Sequence, residues 1–128
     1  MKYLGIDYGV KRVGIAVSDD SGGLAFAKTV LENDKQLLKN VLKICREEKI
    51  EKVILGESLD FSGQPNVIMK GILEFKKKLI ENNLKVYLEP EFLTSAEAER
   101  IQGKNDKLDA SAAALILKSY LGKQKQKK

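Results

Sequence analysis

The sequence predicts an α/β domain built on a mixed five-stranded sheet flanked by helices, in the order βββαβαβα with a short extra helix before the last. Three observations carry this. Three apolar runs of strand length follow one another within the first 31 residues, which suggests an antiparallel meander. Two later strand-length runs each follow a segment with helical spacing, which adds them in parallel to the meander. The chain has 128 residues, 43% apolar and 32% charged, as suits one domain with a real core.

The opening stretch, MKYLGIDYGVKRVGIAVSDD, reads as strands at Lys2–Ile6 and Arg12–Ser18 joined by a tight turn, with Asp7 where the first strand ends. A third strand is expected at Leu24–Leu31. Asn33–Lys49 reads as helix because Leu37, Leu38, Val41, Leu42 and Cys45 recur at helical spacing. Lys52–Gly56 is a short apolar run that suits a buried strand, and the loop Glu57–Pro65 follows. Ile68, Ile72, Phe75 and Leu79 stripe a second helix over Asn66–Asn82. Lys85–Leu88 is the fifth strand and Glu89–Leu93 a loop. Thr94 or Ser95 caps a short helix to Gln102, which Gly103 ends. The last helix, Asp109–Leu121, carries small residues at Ala110–Ala114 that allow close packing on the sheet. Residues 1–121 form the domain. The tail Gly122–Lys128 has no apolar anchor and is expected to be a disordered basic extension.

Composition excludes several chemistries. There is no histidine, which removes Ser-His and Cys-His triads and His-ligated zinc. Cys45 is the single cysteine, so no internal disulfide forms, and a reducing, cytoplasmic setting is expected. No apolar run approaches the roughly 20 residues of a membrane span. The net charge is +5, but the tail lysines Lys123, Lys125, Lys127 and Lys128 supply four of those charges.

What remains is carboxylate chemistry. Asp7 at the end of an apolar strand is costly to bury unless a cation meets it. Gly5, Gly9 and Gly14 leave space beside it, and Lys11 and Arg12 suit a phosphate. The same Asp-x-Gly also suits an ordinary hairpin turn. With the first and fourth strands as parallel neighbours, Asp7 and Glu57 are expected side by side at one end of the sheet, where ligands of open α/β sheets bind. Glu89 and Glu91 share a face if extended, although Glu89 reads as a surface residue. Asp109 opens the last helix as cap or ligand, with Asp106 one turn before it. Such a cluster needs cations, and carboxylate oxygens suit Mg²⁺ or Mn²⁺; two such ions cleave phosphodiesters in known sites. The candidate catalytic acids from placement alone are Asp7, Glu57 and Asp109. Asp7, Glu57, Asp109 and Asp106 are the expected metal ligands, and Lys11, Arg12, Lys123 and Lys125 the nucleic-acid contacts.

Four segments carry a resemblance. GIDYGVKRVGIAVSD closely resembles the opening of the YqgF family, RNase-H-like proteins related to the RuvC Holliday-junction resolvases. VILGESLDFSGQPN resembles its strand-plus-loop segment, EPEFLTSAEA its Asp-Glu-Arg-Leu-Ser/Thr-Thr segment, and KLDASAAALILKSYL its final Asp-containing helix. The resemblance implies an RNase H-like fold and a metal-dependent nuclease, with Asp7, Glu91 and Asp109 at the positions of the family acids. It also implies a link to maturation of the small-subunit ribosomal RNA precursor. Pro90 and Phe92 stand where the family has Asp and Arg, and Phe92 offers a phosphate no guanidinium. Gly56-Glu57-Ser58 replaces Gly-Leu-Pro. A Glu after that strand, and Asp106-x-x-Asp109, are instead similar to the acids of the RuvC resolvases.

The leading reading is a nuclease using two Mg²⁺ on structured nucleic acid, with precursor RNA favoured over branched DNA. Its alternatives are a junction resolvase and a non-catalytic nucleic-acid-binding module with an incomplete site. An actin- or sugar-kinase-type ATP-binding domain needs two such domains, and this chain supplies one. Polar outer helix faces at Lys35, Lys39, Lys43 and Lys76, Lys77, Lys78 leave no second apolar stripe, so a monomer or weak homodimer is expected.

Overall fold

A computed structural model describes residues 1–59, 68–92 and 106–126, with side chains described within 1–57, 68–90 and 111–124. The strands are β1 (Tyr3–Tyr8), β2 (Arg12–Ser18), β3 (Ala25–Glu32), β4 (Lys52–Leu59) and β5 (Lys85–Phe92). The helices are α1 (Leu37–Glu47), α2 (Met69–Glu81) and α3 (Asp106–Gln126). One sheet holds all five strands in the order β3-β2-β1-β4-β5. β2 runs antiparallel to both β1 and β3, whereas β4 runs parallel to both β1 and β5. The mixed sheet expected from the meander and its parallel additions is the one observed.

Alternation along the strands divides the apolar residues between two cores. Leu4, Ile6, Val13, Ile15, Val53 and Leu55 point to one face, where Val41 of α1 and Ile72, Phe75 and Leu79 of α2 cover them. Ala16 and Ile54 point to the other, under Ala113, Ile116, Leu117 and Leu121 of α3. The side chains on the α3 side are smaller, so the third helix sits closer to the strands.

Several element ends differ from the sequence reading. β1 continues through Asp7 to Tyr8, because β2 pairs with it as far as Tyr8↔Val13. β4 and β5 continue together to Leu59↔Phe92, so Glu57, Glu89 and Glu91 lie within strands rather than in loops. A paired neighbour extends a strand past the point where its apolar character stops. α1 starts at Leu37, not Asn33: the Gln36 N–H donates to Asp34 Oδ1 and the Leu37 N–H to the Asp34 carbonyl, forming a turn ahead of the helix. α3 runs on through Gly122 to Gln126, where a disordered tail was expected. The short helix expected at Thr94–Gln102 lies outside the described residues.

Candidate active site

Asp7 stands on the α3 side of the sheet, in a row set by strand register. It pairs with Gly14 of β2. On its other side β1 and β4 pair through Gly5↔Ile54 and Ile6↔Leu55, so the next residues in line are Asp7 and Gly56. Gly56 in turn pairs with Glu89 of β5. The row reads Gly14, Asp7, Gly56, Glu89. A glycine on each side leaves the Asp7 carboxylate without a flanking side chain in its own row.

α3 crosses this row because Gly5 lets it approach. A Cβ on Gly5 would lie 2.8 Å from Leu117 Cβ and 2.9 Å from the Ala113 carbonyl oxygen. The Tyr120 ring packs on Tyr3, with centroids 6.0 Å apart. Moving from Tyr3 to Gly5 along β1 therefore moves backwards along α3, from Tyr120 to Ala113. Position 109 lies N-terminal to the segment of α3 over Gly5, while Ser119 and Lys123 further along the helix reach Glu89. Position 109 shares a helix face with positions 113 and 117, and Asp106 lies one turn further on the same stripe. The side chains of Asp106, Asp109 and Glu91 lie outside the described ones. The backbone of Glu91 pairs with Ser58, one pleat beyond Glu89 on the α3 side. Among the described residues no three metal-binding side chains gather.

Glu57 departs from its expected place. It follows Leu55 by two residues in an unbroken ladder, and Leu55 belongs to the core under α1 and α2. Alternation therefore assigns Glu57 to the face opposite Asp7. Adjacent strand ends do not suffice for two acids to meet; they must also share pleat parity, and here Gly56 has the parity of Asp7.

Glu89, read from sequence as a surface residue, is only 3% exposed. Its Oε2 accepts hydrogen bonds from Ser119 Oγ at 2.8 Å and Lys123 Nζ at 2.6 Å. Lys123, expected in a disordered tail as a nucleic-acid contact, is instead a helical residue committed to this carboxylate. Lys125 is also in α3, and its side chain is outside the described ones. Burial, with Tyr3, Tyr87 and Glu89 nearby, pushes the Tyr120 hydroxyl above its ordinary pKa. The alternation Val86-Tyr87-Leu88-Glu89 is the sequence signal for this arrangement, since it aims Glu89 at the α3 core.

Lys11 and Arg12 sit in and after the β1–β2 turn. Lys11 is exposed, and Arg12, half-buried, has the pleat parity of Gly14 and so faces the Asp7 side. Gly9 is required there, because a Cβ would collide with the Arg12 carbonyl oxygen. Asn33 clasps the turn from both sides: its Nδ2 donates to the Gly9 carbonyl at 2.7 Å and its backbone N–H to that of Lys11 at 2.9 Å. Sequence reading placed Asn33 in a helix and missed this role.

The comparisons with known proteins bear on this geometry. A family model described as RuvX, Holliday junction resolvase, matches residues 1–123. The chain belongs to the RuvX family. This is the family, also called YqgF, that the sequence motifs resemble. A relative from Nitratidesulfovibrio vulgaris named "Putative pre-16S rRNA nuclease" is 36% identical, over 94% of this chain and 93% of its own. Another of the same name, from Oleidesulfovibrio alaskensis, is 34% identical over 94% and 92%. Among solved structures, Thermus thermophilus RuvC in complex with a Holliday junction substrate superposes with a TM-score of 0.59 at 15% identity, covering 97% and 95% of the two chains. The fowlpox virus Holliday junction resolvase gives 0.59 at 21%, covering 96% and 99%. These likenesses establish the RNase H-like fold. No described helix is long and apolar enough to cross a membrane.

Proposed function

We propose that this RuvX-family nuclease, a phosphodiester hydrolase, trims structured precursor RNA of the small ribosomal subunit with the help of divalent cations. The observation that carries the reading is the placement of Asp7 between two glycines on the sheet face that α3 covers. The relatives' names favour ribosomal RNA as substrate.

The residues fit a hard divalent cation. The chain has no histidine and its acids offer only oxygen donors, as Mg²⁺ or Mn²⁺ requires. Asp7, Asp109 and Glu91 would hold the metal, with Asp106 one turn from Asp109; the opposite parity of Glu57 removes it from this set. When bound, such ions activate water and stabilise the leaving oxygen. The chain's own part is to keep Asp7 in a rigid central strand, leave room beside it at Gly14 and Gly56, and present Lys11 and Arg12 to the phosphate backbone from a clasped turn. The exposed lysines of α1 favour a monomer that cuts one strand at a time, while α2 exposes Leu73 and Ile80 beside its lysines.

Asp7→Asn tests the assignment. Asn keeps the shape and one oxygen donor but removes the charge that holds a cation. Mg²⁺-dependent cleavage of a precursor RNA hairpin is expected to be lost while the circular dichroism and melting of the protein stay native. Wild-type cleavage by purified Asp7→Asn would refute the site.

A further inference from the structure

We propose a second nucleic-acid subsite at the β5 edge of the α3 face, where Tyr87 stacks an unpaired base and Lys52 and Lys85 meet the adjoining phosphates of a single strand. The proposal rests on the nuclease reading and extends it from the cleavage point to the flanking strand.

Register places the parts. Tyr3, Lys52 and Lys85 occupy one row across β1, β4 and β5. Tyr87 lies one pleat on, and Glu89, in the Asp7 row, one pleat further. All share the parity of the α3 face. Lys52 and Lys85 are directly paired neighbours, an arrangement of like charges that is unfavourable by itself. Neither has an ion pair among the described residues. Lys52 Nζ instead hovers 5.5 Å from the Tyr87 ring centroid and 6.0 Å from that of Tyr3. Tyr120 backs Tyr87 with centroids 6.0 Å apart, which fixes the ring. Tyr87 nevertheless remains 39% exposed. A braced, exposed aromatic ring beside two unpaired ammonium groups has the composition of a single-strand platform.

Position favours the same occupant. Two strand spacings and one pleat separate Tyr87 from Asp7, about 12 Å between Cα atoms, so one continuous strand reaches both. A second protein chain adding to this edge is disfavoured. β5 is an edge strand carrying Pro90, which has no N–H to donate, and exposed Lys85, both features that block strand addition.

The test uses two fluorescein-labelled RNA hairpins in EDTA, one blunt and one with an oligo(U) flank of about 10 nucleotides. Tyr87→Ala is expected to weaken the flanked hairpin roughly 5- to 100-fold while leaving the blunt one unaffected. Tyr87→Phe keeps the ring and should keep the affinity. The chain has four tyrosines and no tryptophan, so base stacking is read directly as quenched tyrosine emission, and Tyr87→Phe should reduce that quench. Lys52→Gln with Lys85→Gln should lower the slope of log affinity against log salt by up to about 1.4 on the flanked RNA. It carries the test if Tyr87→Ala does not fold by circular dichroism. Equal losses on both hairpins, or a quench unchanged in Tyr87→Phe, would overturn the subsite. If wild-type protein binds both hairpins equally and cleaves them in Mg²⁺, the subsite alone falls. If it binds and cleaves neither, the nuclease reading falls with it.

Discussion

Gly5→Ala probes the contact on which the site depends. The new methyl would meet Leu117 Cβ at 2.8 Å and the Ala113 carbonyl at 2.9 Å, two atoms that no rotamer change moves. Ordinary separations are about 3.5–4.0 Å, so α3 must lift by roughly 0.7–1 Å. Overpacking of this kind costs about 1–3 kcal/mol. Gly5 has no positive φ, so alanine recovers about 0.4–1 kcal/mol by restricting the unfolded chain. Taking the midpoints, the net loss is about 1.3 kcal/mol, a fall in Tm of roughly 4–8 °C for a domain of this size. The lift also displaces the helix that carries the proposed ligand Asp109, and a displacement near 1 Å in a catalytic arrangement costs up to about 100-fold in rate. Thermal melts and Mg²⁺-dependent turnover of a hairpin RNA measure the two effects. A Gly5→Ala protein with wild-type Tm and wild-type kcat would refute the placement of α3 on β1 and, with it, the proposed metal site of Asp7 and Asp109.

Three further outcomes follow from the same geometry. Glu57→Gln should leave Mg²⁺-dependent kcat at the wild-type level, because its pleat parity turns it from Asp7; inactivation with an unchanged melt would contradict that. Lys123→Gln strips a cation from the buried Glu89 carboxylate, leaving Ser119 as its described donor, and should destabilise the protein by about 1–3 kcal/mol in urea unfolding; a disordered tail would lose nothing. Hydrogen bonds from Lys2, above all, and from Lys28 hold the Glu48 carboxyl below its ordinary pKa of 4.5. That stabilisation is complete above the unfolded-state pKa and is lost as pH falls through the lower folded value. Glu48→Gln should therefore flatten the fall of Tm between about pH 5 and pH 3.

The sequence by itself determined the strand and helix types, the mixed topology and the family. Each of these rests on local periodicity or contiguous motifs, and both survive being read one segment at a time. It also singled out Asp7 as the candidate ligand, because an acid following an apolar strand and flanked by glycines stands out locally. Tertiary structure decided the rest. Glu57 and Asp7 lie near the same ends of neighbouring strands, yet a single residue of pleat parity puts them on opposite faces, and no local signal compares the parity of two strands about 50 residues apart. Glu89 reads as solvent-facing until α3 is laid across it with Ser119 and Lys123. Lys123 reads as a loose tail because its anchor is a carboxylate in another strand rather than an apolar neighbour in its own segment. Asn33 carries a good helix-start signal, but the carbonyls of the β1–β2 turn claim its amide groups. In each case the deciding energy is a long-range pairing, and periodicity along one segment contains no information about what that segment will meet.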